Sequence, residues 1–322
     1  MENDQTADEP IRIGTSACLL GRKVRFDGGH KHDRYLTDTL GQYFDWVPVC
    51  PEVEVGLPIP RPTLRLELHD GGVRMVITKE GRDLTQAMRS YAKSRVAALA
   101  REELSGYLLK KDSPSCGMER VRMYKGQGPP NRNGRGLYAE ALLARFPNLP
   151  VEEEGRLHDP RLRENWITRV FAYHRLRGLW RRRWTIGDLV RFHTAHKLLL
   201  LAHSPKDYRE LGRTVAAAKR IDRKELRAGY ESQFMAALSK MATRAKNTNV
   251  LQHILGFFKK DLDGASRQEL LGHIEDYHRG LVPLVVPLTL VAHYVRLLDV
   301  EYLRDQVYLH PHPKELALRN HV

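Results

Sequence analysis

The first half of the chain alternates short apolar runs with longer amphipathic stretches. The apolar runs cover residues 11–17, 44–49 and 106–110, and short runs of this length are typical of buried strands. Strands that alternate with helices favour a sheet that is mostly parallel. The pattern therefore predicts a Rossmann-like α/β domain over residues 11–155.

Three further segments complete the pattern of this half. Residues 63–78 alternate apolar and polar positions around Asp70-Gly71-Gly72, which predicts a β-hairpin. Asp83 precedes a helix-periodic stretch that runs to about residue 103. Residues 126–136 are rich in Gly, Pro, Asn and Arg, and we expect a loop there.

From residue 161 onward the hydrophobic period is that of amphipathic helices. Helix-periodic stretches cover residues 164–179, 186–202, 207–218 and 230–243. We therefore expect an all-α domain over residues 161–322, with Pro160 and the acidic run 152–155 as a linker. Residues 1–10 are polar and predict a flexible tail.

The hydropathy pattern argues against a membrane protein. A membrane span needs about 18 apolar residues, whereas the longest apolar patch, residues 281–292, contains Pro283 and Pro287. The polar N-terminus has no apolar segment of the kind found in a secretory signal. We expect a cytoplasmic protein without a membrane partner.

The net charge of +14 is concentrated in one part of the chain. Residues 161–250 hold 21 Lys and Arg against 7 Asp and Glu, and the remainder holds 32 of each. Aromatic residues are interleaved with the arginines, at Trp166, Tyr173, Trp180 and Trp184. Arginine and aromatic groups together suit phosphate contacts and base stacking, although a charge run by itself is equally typical of a solvated surface.

Each of the three cysteines comes after a predicted strand. Cys18 and Cys50 follow the first two strands directly, and Cys116 lies in the loop after the third. The carboxyl ends of parallel strands share one edge of a sheet, so three thiolates would meet there and form a soft-metal or cluster site. The alternative is that all three are buried structural cysteines.

These cysteines lie in motifs that resemble the thiouracil desulfidase family. The resemblance covers residues 11–150. The matching residues are Ser16-Ala17-Cys18-Leu19-Leu20-Gly21, Phe26-Asp27-Gly28, Val49-Cys50-Pro51-Glu52, Glu54, Gly56 and Lys111 to Gly117.

Residues 192–320 resemble an uncharacterised domain that is often fused to this family. The matching segments are Lys197 to Ala202, His203-Ser204-Pro205, Gly256 to Lys260, Val286 to Leu290 and Leu316 to Asn320. The fused form resembles enzymes that remove sulfur from 4-thiouridine in tRNA.

The resemblance implies an iron–sulfur enzyme with no organic cofactor. Cys18, Cys50 and Cys116 would hold a 4Fe-4S cluster whose fourth iron, without a cysteine ligand, takes the sulfur of the substrate. The implied reaction is hydrolytic and converts a thiocarbonyl to a carbonyl with release of hydrosulfide.

The polar residues of the same motifs are the candidates for proton transfer and substrate binding. We expect Glu52 and Ser113 to be catalytic, Glu52 as the acid–base group. Ser115 and Asp27 are the candidates for substrate binding, and Ser115 could instead donate a hydrogen bond to a cluster sulfur. The alternatives are a solvated carboxylate for Glu52 and an Asp-Gly turn for Asp27.

The implied partner is tRNA that contains 4-thiouridine, bound by the basic segment. The arginines expected to contact RNA are Arg175, Arg177, Arg181, Arg182, Arg183 and Arg191. We expect packing or capping roles for His193, His196 and His203 in preference to a metal site.

Two other functions are compatible with the sequence. The chain could be a non-catalytic iron–sulfur sensor that binds nucleic acid, for which Glu52 would be dispensable. It could also desulfurate only free thiouracil, with the helical domain serving assembly.

Overall fold

The computed structural model describes residues 10–126 and 128–322. Residues 1–9, which make up most of the predicted flexible tail, and Gln127 lie outside the described residues. The chain divides into two compact units at Asp159 and Pro160, and each unit is described by itself.

The first unit contains a parallel four-stranded sheet in the order β2-β1-β5-β8. Its strands are β1 (Ile11–Ser16), β2 (Phe44–Val49), β5 (Gly106–Leu109) and β8 (Val151–Glu153). Every neighbouring pair is parallel. The three apolar runs in the sequence thus occupy the adjacent strands β2, β1 and β5, as the fold prediction requires.

A second four-stranded sheet has the order β4-β3-β6-β7. Its strands are β3 (Leu64–His69), β4 (Gly72–Ile77), β6 (Val121–Tyr124) and β7 (Asn131–Gly134). The antiparallel pair β3 and β4 confirms the predicted hairpin. The prediction of a loop throughout residues 126–136 is wrong, because β7 pairs with β6 despite its polar composition.

Helices accompany the strands of this unit. They are α1 (Pro51–Glu54), α2 (Thr85–Leu99) and α3 (Leu137–Arg145). The Asp83 carboxylate accepts a hydrogen bond from the Thr85 N–H at 2.7 Å. The N-cap residue of α2 is Leu84, which makes no side-chain cap, so the prediction that Asp83 is the cap is wrong by one residue.

The second unit is largely helical. Its helices are α4 (Pro160–Arg181), α5 (Ile186–His203), α6 (Pro205–Ala216), α7 (Arg223–Ser239), α8 (Arg244–Phe257), α9 (Gly264–Arg279), α10 (Val285–Leu297) and α11 (Glu301–Arg304). Side chains cap several of them; Thr185 and Asp188, for example, form a reciprocal capping box at α5. The predicted order, an α/β domain followed by a helical one, is confirmed.

Each helix of the second unit contributes an apolar face to one core. The largest fully buried side chains include Trp166, Tyr230, Phe234 and Phe258. Burial of such rings contributes the main favourable term to the stability of a helical domain. Across the described residues, no helix is both long enough and apolar enough to cross a membrane.

Candidate active site

A cavity of about 470 Å³ lies at the carboxyl ends of β1, β2 and β5. Cys18 follows β1, Cys50 follows β2, and Cys116 lies in the loop after β5; all three line the cavity. Residues that are far apart in sequence meet here because neighbouring parallel strands end at the same edge of the sheet.

Burial controls the chemistry of the three thiols. Cys18 and Cys116 are buried, and Cys50 is half-buried. Loss of water, followed by the proximity of Cys50, raises the pKa of Cys18 to about 11. Burial likewise raises the pKa of Cys50 and of Cys116. The thiolate forms therefore need a cation beside them, and a bound metal centre would provide it.

The donor set fits an iron–sulfur cluster better than a single ion. Within residues 10–126 and 128–322, no three His, Cys, Asp or Glu side chains are grouped closely enough to hold one metal ion. Around a single ion, sulfur ligands lie about 2.3 Å from the metal and crowd together. In a cluster each cysteine binds a different iron, so three thiols that line one cavity suit a cluster.

Glu52 lies two residues after Cys50 and is fixed from two sides. Arg61 donates to its Oε2 atom from Nη2 at 2.6 Å and from Nε at 3.1 Å. The Ser115 hydroxyl donates to Oε1 at 2.8 Å. A carboxylate has about four acceptor positions, so Oε1 can still accept a hydrogen bond from a water molecule in the cavity.

Ser113 organises the loop that carries Cys116. Its Oγ atom accepts hydrogen bonds from the N–H groups of Ser115 and Cys116, at 3.2 and 3.0 Å. It also lies 2.9 Å from the Ser115 hydroxyl oxygen. Because Ser115 donates to Glu52, the remaining proton of this chain belongs to Ser113, which donates to Ser115. Ser115 thus contacts the Glu52 carboxylate directly, and Ser113 is linked to it through the Ser115 hydroxyl group.

The acidic run at 152–155 anchors the same loop. The carboxylate of Glu154 accepts a hydrogen bond from the Lys111 N–H at 2.8 Å and pairs with the Lys110 ammonium group. The Glu153 carboxylate accepts from the Met118 N–H at 2.8 Å. The prediction that this run is a linker is therefore wrong, because its carboxylates hold both ends of the loop and Glu153 belongs to β8.

The structure places one predicted site residue elsewhere. Asp27 does not line the cavity, although its neighbours Arg25 and Phe26 do. The Asp27 carboxylate accepts a hydrogen bond from the Gly29 N–H at 2.9 Å, and this bond is the main reason that the pKa of Asp27 is lowered. These contacts are those of an Asp-Gly turn.

Sequence reasoning assigned no role to the basic residues of the cavity, which include Arg61, Lys110 and Lys111. Arg61 lies between Pro60 and Pro62 in a segment without hydrophobic periodicity, so no pattern marks it. The two lysines follow β5 directly, and their position after a strand end was a usable signal.

The arginines of the basic segment differ in exposure. Arg181, Arg182, Arg183 and Arg191 are exposed, and Arg191 pairs with Asp188 at 2.5 Å. Arg175 and Arg177 are half-buried and lie over the rings of Phe171 and Tyr173. The three tryptophans of the segment, Trp166, Trp180 and Trp184, are at most 8% exposed. They belong to the core, so the expectation that they stack on bases is wrong.

The three histidines of α5 are buried and each has a protein partner. His193 Nδ1 lies 3.1 Å from the Tyr230 hydroxyl group. The Nδ1 atoms of His196 and His203 donate to the carbonyl oxygens of Phe192 and Lys240. Burial lowers the pKa of all three rings, so they are neutral packing residues at pH 7.

Two family models match the chain in separate regions. Residues 13–154 match the 2-thiouracil desulfurase family, and residues 197–313 match a family described as a protein of unknown function, DUF1722. The first match contains all three cysteines and Glu52, and the second lies within the helical unit.

Two uncharacterised proteins are similar to parts of the chain. The chain is 34% identical over 163 residues to the uncharacterised protein YbgA of Escherichia coli, which is 50% of this chain and 95% of YbgA. It is 28% identical over 110 residues to the uncharacterised protein YbbK of Bacillus subtilis, which is 33% of this chain and 72% of YbbK.

One solved structure is also similar. It is the [4Fe-4S]-dependent thiouracil desulfidase TudS, with 34% sequence identity, 46% of this chain and 93% of TudS covered, and a TM-score of 0.38. The relationship rests on the sequence identity and not on the superposition. The chain belongs to the 2-thiouracil desulfurase family and carries a DUF1722 domain after the desulfurase domain.

Proposed function

We propose that this protein is an iron–sulfur-dependent desulfidase that hydrolyses a thiolated pyrimidine, and that its substrate is 4-thiouridine in tRNA. The observation that carries the proposal is the position of Glu52. Its carboxylate is fixed by Arg61 and Ser115 in the same cavity as the three cysteines. Membership of the 2-thiouracil desulfurase family supports the same reaction class.

Cys18, Cys50 and Cys116 would hold three irons of a 4Fe-4S cluster. When bound, the cluster supplies a Lewis-acidic iron, without a cysteine ligand, that accepts the leaving sulfur. The buried thiols favour this arrangement, because a cationic centre offsets the cost of burying their charge.

The residues of the chain supply the proton transfers. Water adds to the thiocarbonyl carbon and loses a proton to Oε1 of Glu52, which Arg61 holds in one orientation. The carbon–sulfur bond then breaks, and the product is a carbonyl compound and hydrosulfide. Glu52 passes this proton to the leaving sulfur, and the second proton of the water leaves the new carbonyl oxygen for solvent, so the reaction consumes one water and no electrons.

The two serines position the carboxylate. Ser113 donates to Ser115, and Ser115 donates to Glu52, so the loop that carries Cys116 also fixes the proposed base. Ser113, Ser115 and Cys116 belong to one short loop, so they keep the same mutual geometry when substrate enters. This fixed geometry reduces the entropy that is lost on reaching the transition state.

Two features support an RNA substrate. The excess positive charge of the chain lies in residues 161–250, and Arg181, Arg182 and Arg183 of this segment are exposed consecutively. Phosphate contacts supply most of the affinity of proteins for nucleic acid, and holding RNA offsets the cost of exposing a stacked base. Free thiouracil is the second candidate substrate, because the family is described by that compound.

The first experiment measures iron and acid-labile sulfide in anaerobically purified protein, together with turnover of thiouracil and thiolated tRNA. We expect about four irons per chain, lost in Cys50→Ala. Glu52→Gln should keep the iron and lower turnover by a factor on the order of 10² to 10⁴. Glu67→Gln, which changes a carboxylate on β3 outside the cavity, is the matched control and should keep both. An active Glu52→Gln enzyme would exclude the proposed base.

A second experiment separates the candidate substrates. Rates are compared for 4-thiouracil, 4-thiouridine and 4-thiouridine-containing tRNA at increasing salt. An RNA substrate predicts the highest kcat/KM for tRNA and a steep fall with salt for tRNA alone. Equal rates for all three compounds would contradict tRNA as the substrate and would support a desulfidase of the free base.

A further inference from the structure

The active-site cavity contains an aromatic ring to which the reaction described above assigns no role. Phe26 is the single aromatic residue among the described residues that line the cavity. It is 37% exposed, and no other exposed large apolar side chain in the described part of the chain lies there. A phenylalanine ring in contact with water forgoes favourable burial, and it regains this burial when a flat ligand covers it.

Arg61 fixes the backbone that carries this ring. Its N–H group donates to the Phe26 carbonyl oxygen at 2.8 Å, and its guanidinium group donates to the Val24 carbonyl oxygen at 3.0 Å. The same guanidinium group holds Glu52. One residue therefore positions both the ring and the proposed base. A wall that is already in place loses little entropy when a ligand binds to it.

The side chain of Arg25 restrains the ring itself. Its guanidinium carbon lies 5.3 Å from the centre of the Phe26 ring, which is within the range of a cation–π contact. Arg25 pairs with the Asp27 carboxylate at 3.6 Å, and that carboxylate accepts a hydrogen bond from the Gly29 N–H. The Asp-Gly turn thus restrains Arg25, and Arg25 restrains the ring, although Asp27 lies outside the cavity.

The other apolar side chains of the cavity offer no comparable surface. They are all aliphatic: Ala17, Val24, Val49, Pro51, Leu64 and Pro114. Stacking with a base requires the π face of an aromatic side chain and is tolerant of the identity of the base. Phe26 is therefore the position in this cavity at which a planar heterocycle gains a stacking contact.

We propose that Phe26 stacks on the ring of the substrate and selects aromatic thiocarbonyl compounds over saturated ones. This inference rests on the proposed desulfidase function and names the substrate class of that site. An offset-stacked arrangement leaves the edge of the ligand ring, which carries the thiocarbonyl group, free to reach the cysteines. Because the contact is already made in the bound substrate, it lowers KM and leaves kcat unchanged.

The first test replaces Phe26 by Leu, which keeps an apolar side chain and removes the π face. We expect KM for 4-thiouracil to rise about tenfold, while kcat changes by about twofold or less and the iron content is kept. Phe26→Trp restores a ring and should keep KM within about threefold of the wild-type value. Phe257→Leu, the same substitution at an equally exposed phenylalanine of α8, is the matched control.

Calorimetry with uracil on the full-length, cluster-loaded protein measures the contact without turnover. The Kd of uracil should rise about tenfold in Phe26→Leu and stay unchanged in Phe257→Leu. Unchanged Kd and KM in Phe26→Leu would overturn the inference. A wild-type protein that binds uracil through Phe26 but converts no thiocarbonyl compound would overturn the desulfidase function and leave the stacking contact in place.

A pair of substrates tests the selection of a flat ring. The compounds are 2-thiouracil, which is planar and aromatic, and its 5,6-dihydro derivative, whose puckered ring has no π face. The wild-type protein should favour 2-thiouracil in kcat/KM, and this preference should fall about tenfold in Phe26→Leu. The intrinsic reactivities of the two compounds cancel when the preferences of two proteins are compared. An identical preference in both proteins would show that Phe26 does not select the ring.

Discussion

The guanidinium group of Arg61 lies 2.6 Å from the carboxylate of Glu52, and the arginine side chain is only 3% exposed. The same guanidinium donates to the carbonyl oxygens of Val24 and Pro58, at 3.0 and 3.3 Å. Arg61 therefore ties the loop after β1 to the segment after Cys50. The position of Glu52 depends on a residue that is not a cluster ligand.

Replacing Arg61 by Gln should lower turnover while the cluster is retained. The substitution removes the bidentate contact that fixes Glu52, so we expect kcat to fall by about tenfold or more. It also leaves a mostly buried carboxylate unpaired, which costs about 3 kcal/mol of stability. Urea unfolding, iron content and kcat measured on one preparation check all three effects.

Arg65→Gln is the matched control for this substitution. Arg65 pairs with Glu67 at 2.6 Å, but the arginine side chain is 38% exposed and lies outside the cavity. Exposed pairs contribute about 1 kcal/mol or less. If both variants lose the same stability and activity, the Arg61 contact has no special role.

The sequence was sufficient to predict three of the four strands of the parallel sheet and the meeting of the cysteines. Apolar runs at residues 11–17, 44–49 and 106–110 became the adjacent strands β1, β2 and β5. A residue that follows a strand can be placed from the sequence, because a parallel sheet brings the ends of its strands to one edge. Cys18, Cys50 and Cys116 therefore line one cavity without any local sequence signal that connects them.

Contacts made by irregular segments could not be predicted in the same way. Arg61 reaches Glu52 from a proline-rich segment, and Glu153 accepts a hydrogen bond from the Met118 N–H of a loop that lies 35 residues away in sequence. Neither contact follows from periodicity. Trp166 and Trp180 were misinterpreted for a different reason: the arginine-rich helix α4 still needs a buried face, and these aromatic residues belong to that face.

Replacing Gly136 by Ala should disturb the loop that carries Cys116. A Cβ atom at Gly136 would lie 2.3 Å from the Ser115 carbonyl oxygen and 2.9 Å from the Cys116 nitrogen. Backbone at this distance must move, so we expect reduced iron content and a loss of stability of about 1–3 kcal/mol. Gly71→Ala, where a Cβ atom meets nothing within 4 Å, should retain wild-type iron and stability. Normal iron in Gly136→Ala would show that the loop tolerates the shift.

Acid should destabilise the protein through its buried histidines. Burial lowers the pKa of His193 and His203 to about 4, and of His196 and His312 to about 3, from 6.5. The unfolded chain therefore binds more protons below pH 6.5. The stability due to these neutral rings is complete above about pH 6.5 and is lost as the pH falls towards 3.

Each ring should lower the free energy of unfolding by about 2 kcal/mol as the pH falls from 6.5 to 5, at about 1.4 kcal/mol per pH unit. Urea unfolding at several pH values measures this slope. His196→Phe removes one of these rings from a site stacked on Phe192 and should reduce the slope. His253→Phe, at an exposed position of α8, is the matched control for the substitution. The same slope in His196→Phe would exclude that ring as a contributor.

Replacing Arg181, Arg182 and Arg183 together by Gln should weaken tRNA binding without altering the turnover of free thiouracil. The three side chains are exposed, so they add little to the core, and phosphate contacts release counterions when they form. We expect a higher Kd for tRNA and a shallower dependence of log Kd on log salt. The matched control changes three exposed arginines elsewhere in the helical unit, Arg267, Arg279 and Arg304, and removes the same charge. If both triple variants lose equal affinity, net charge and not this segment governs binding; if neither loses any, the RNA-binding surface lies elsewhere.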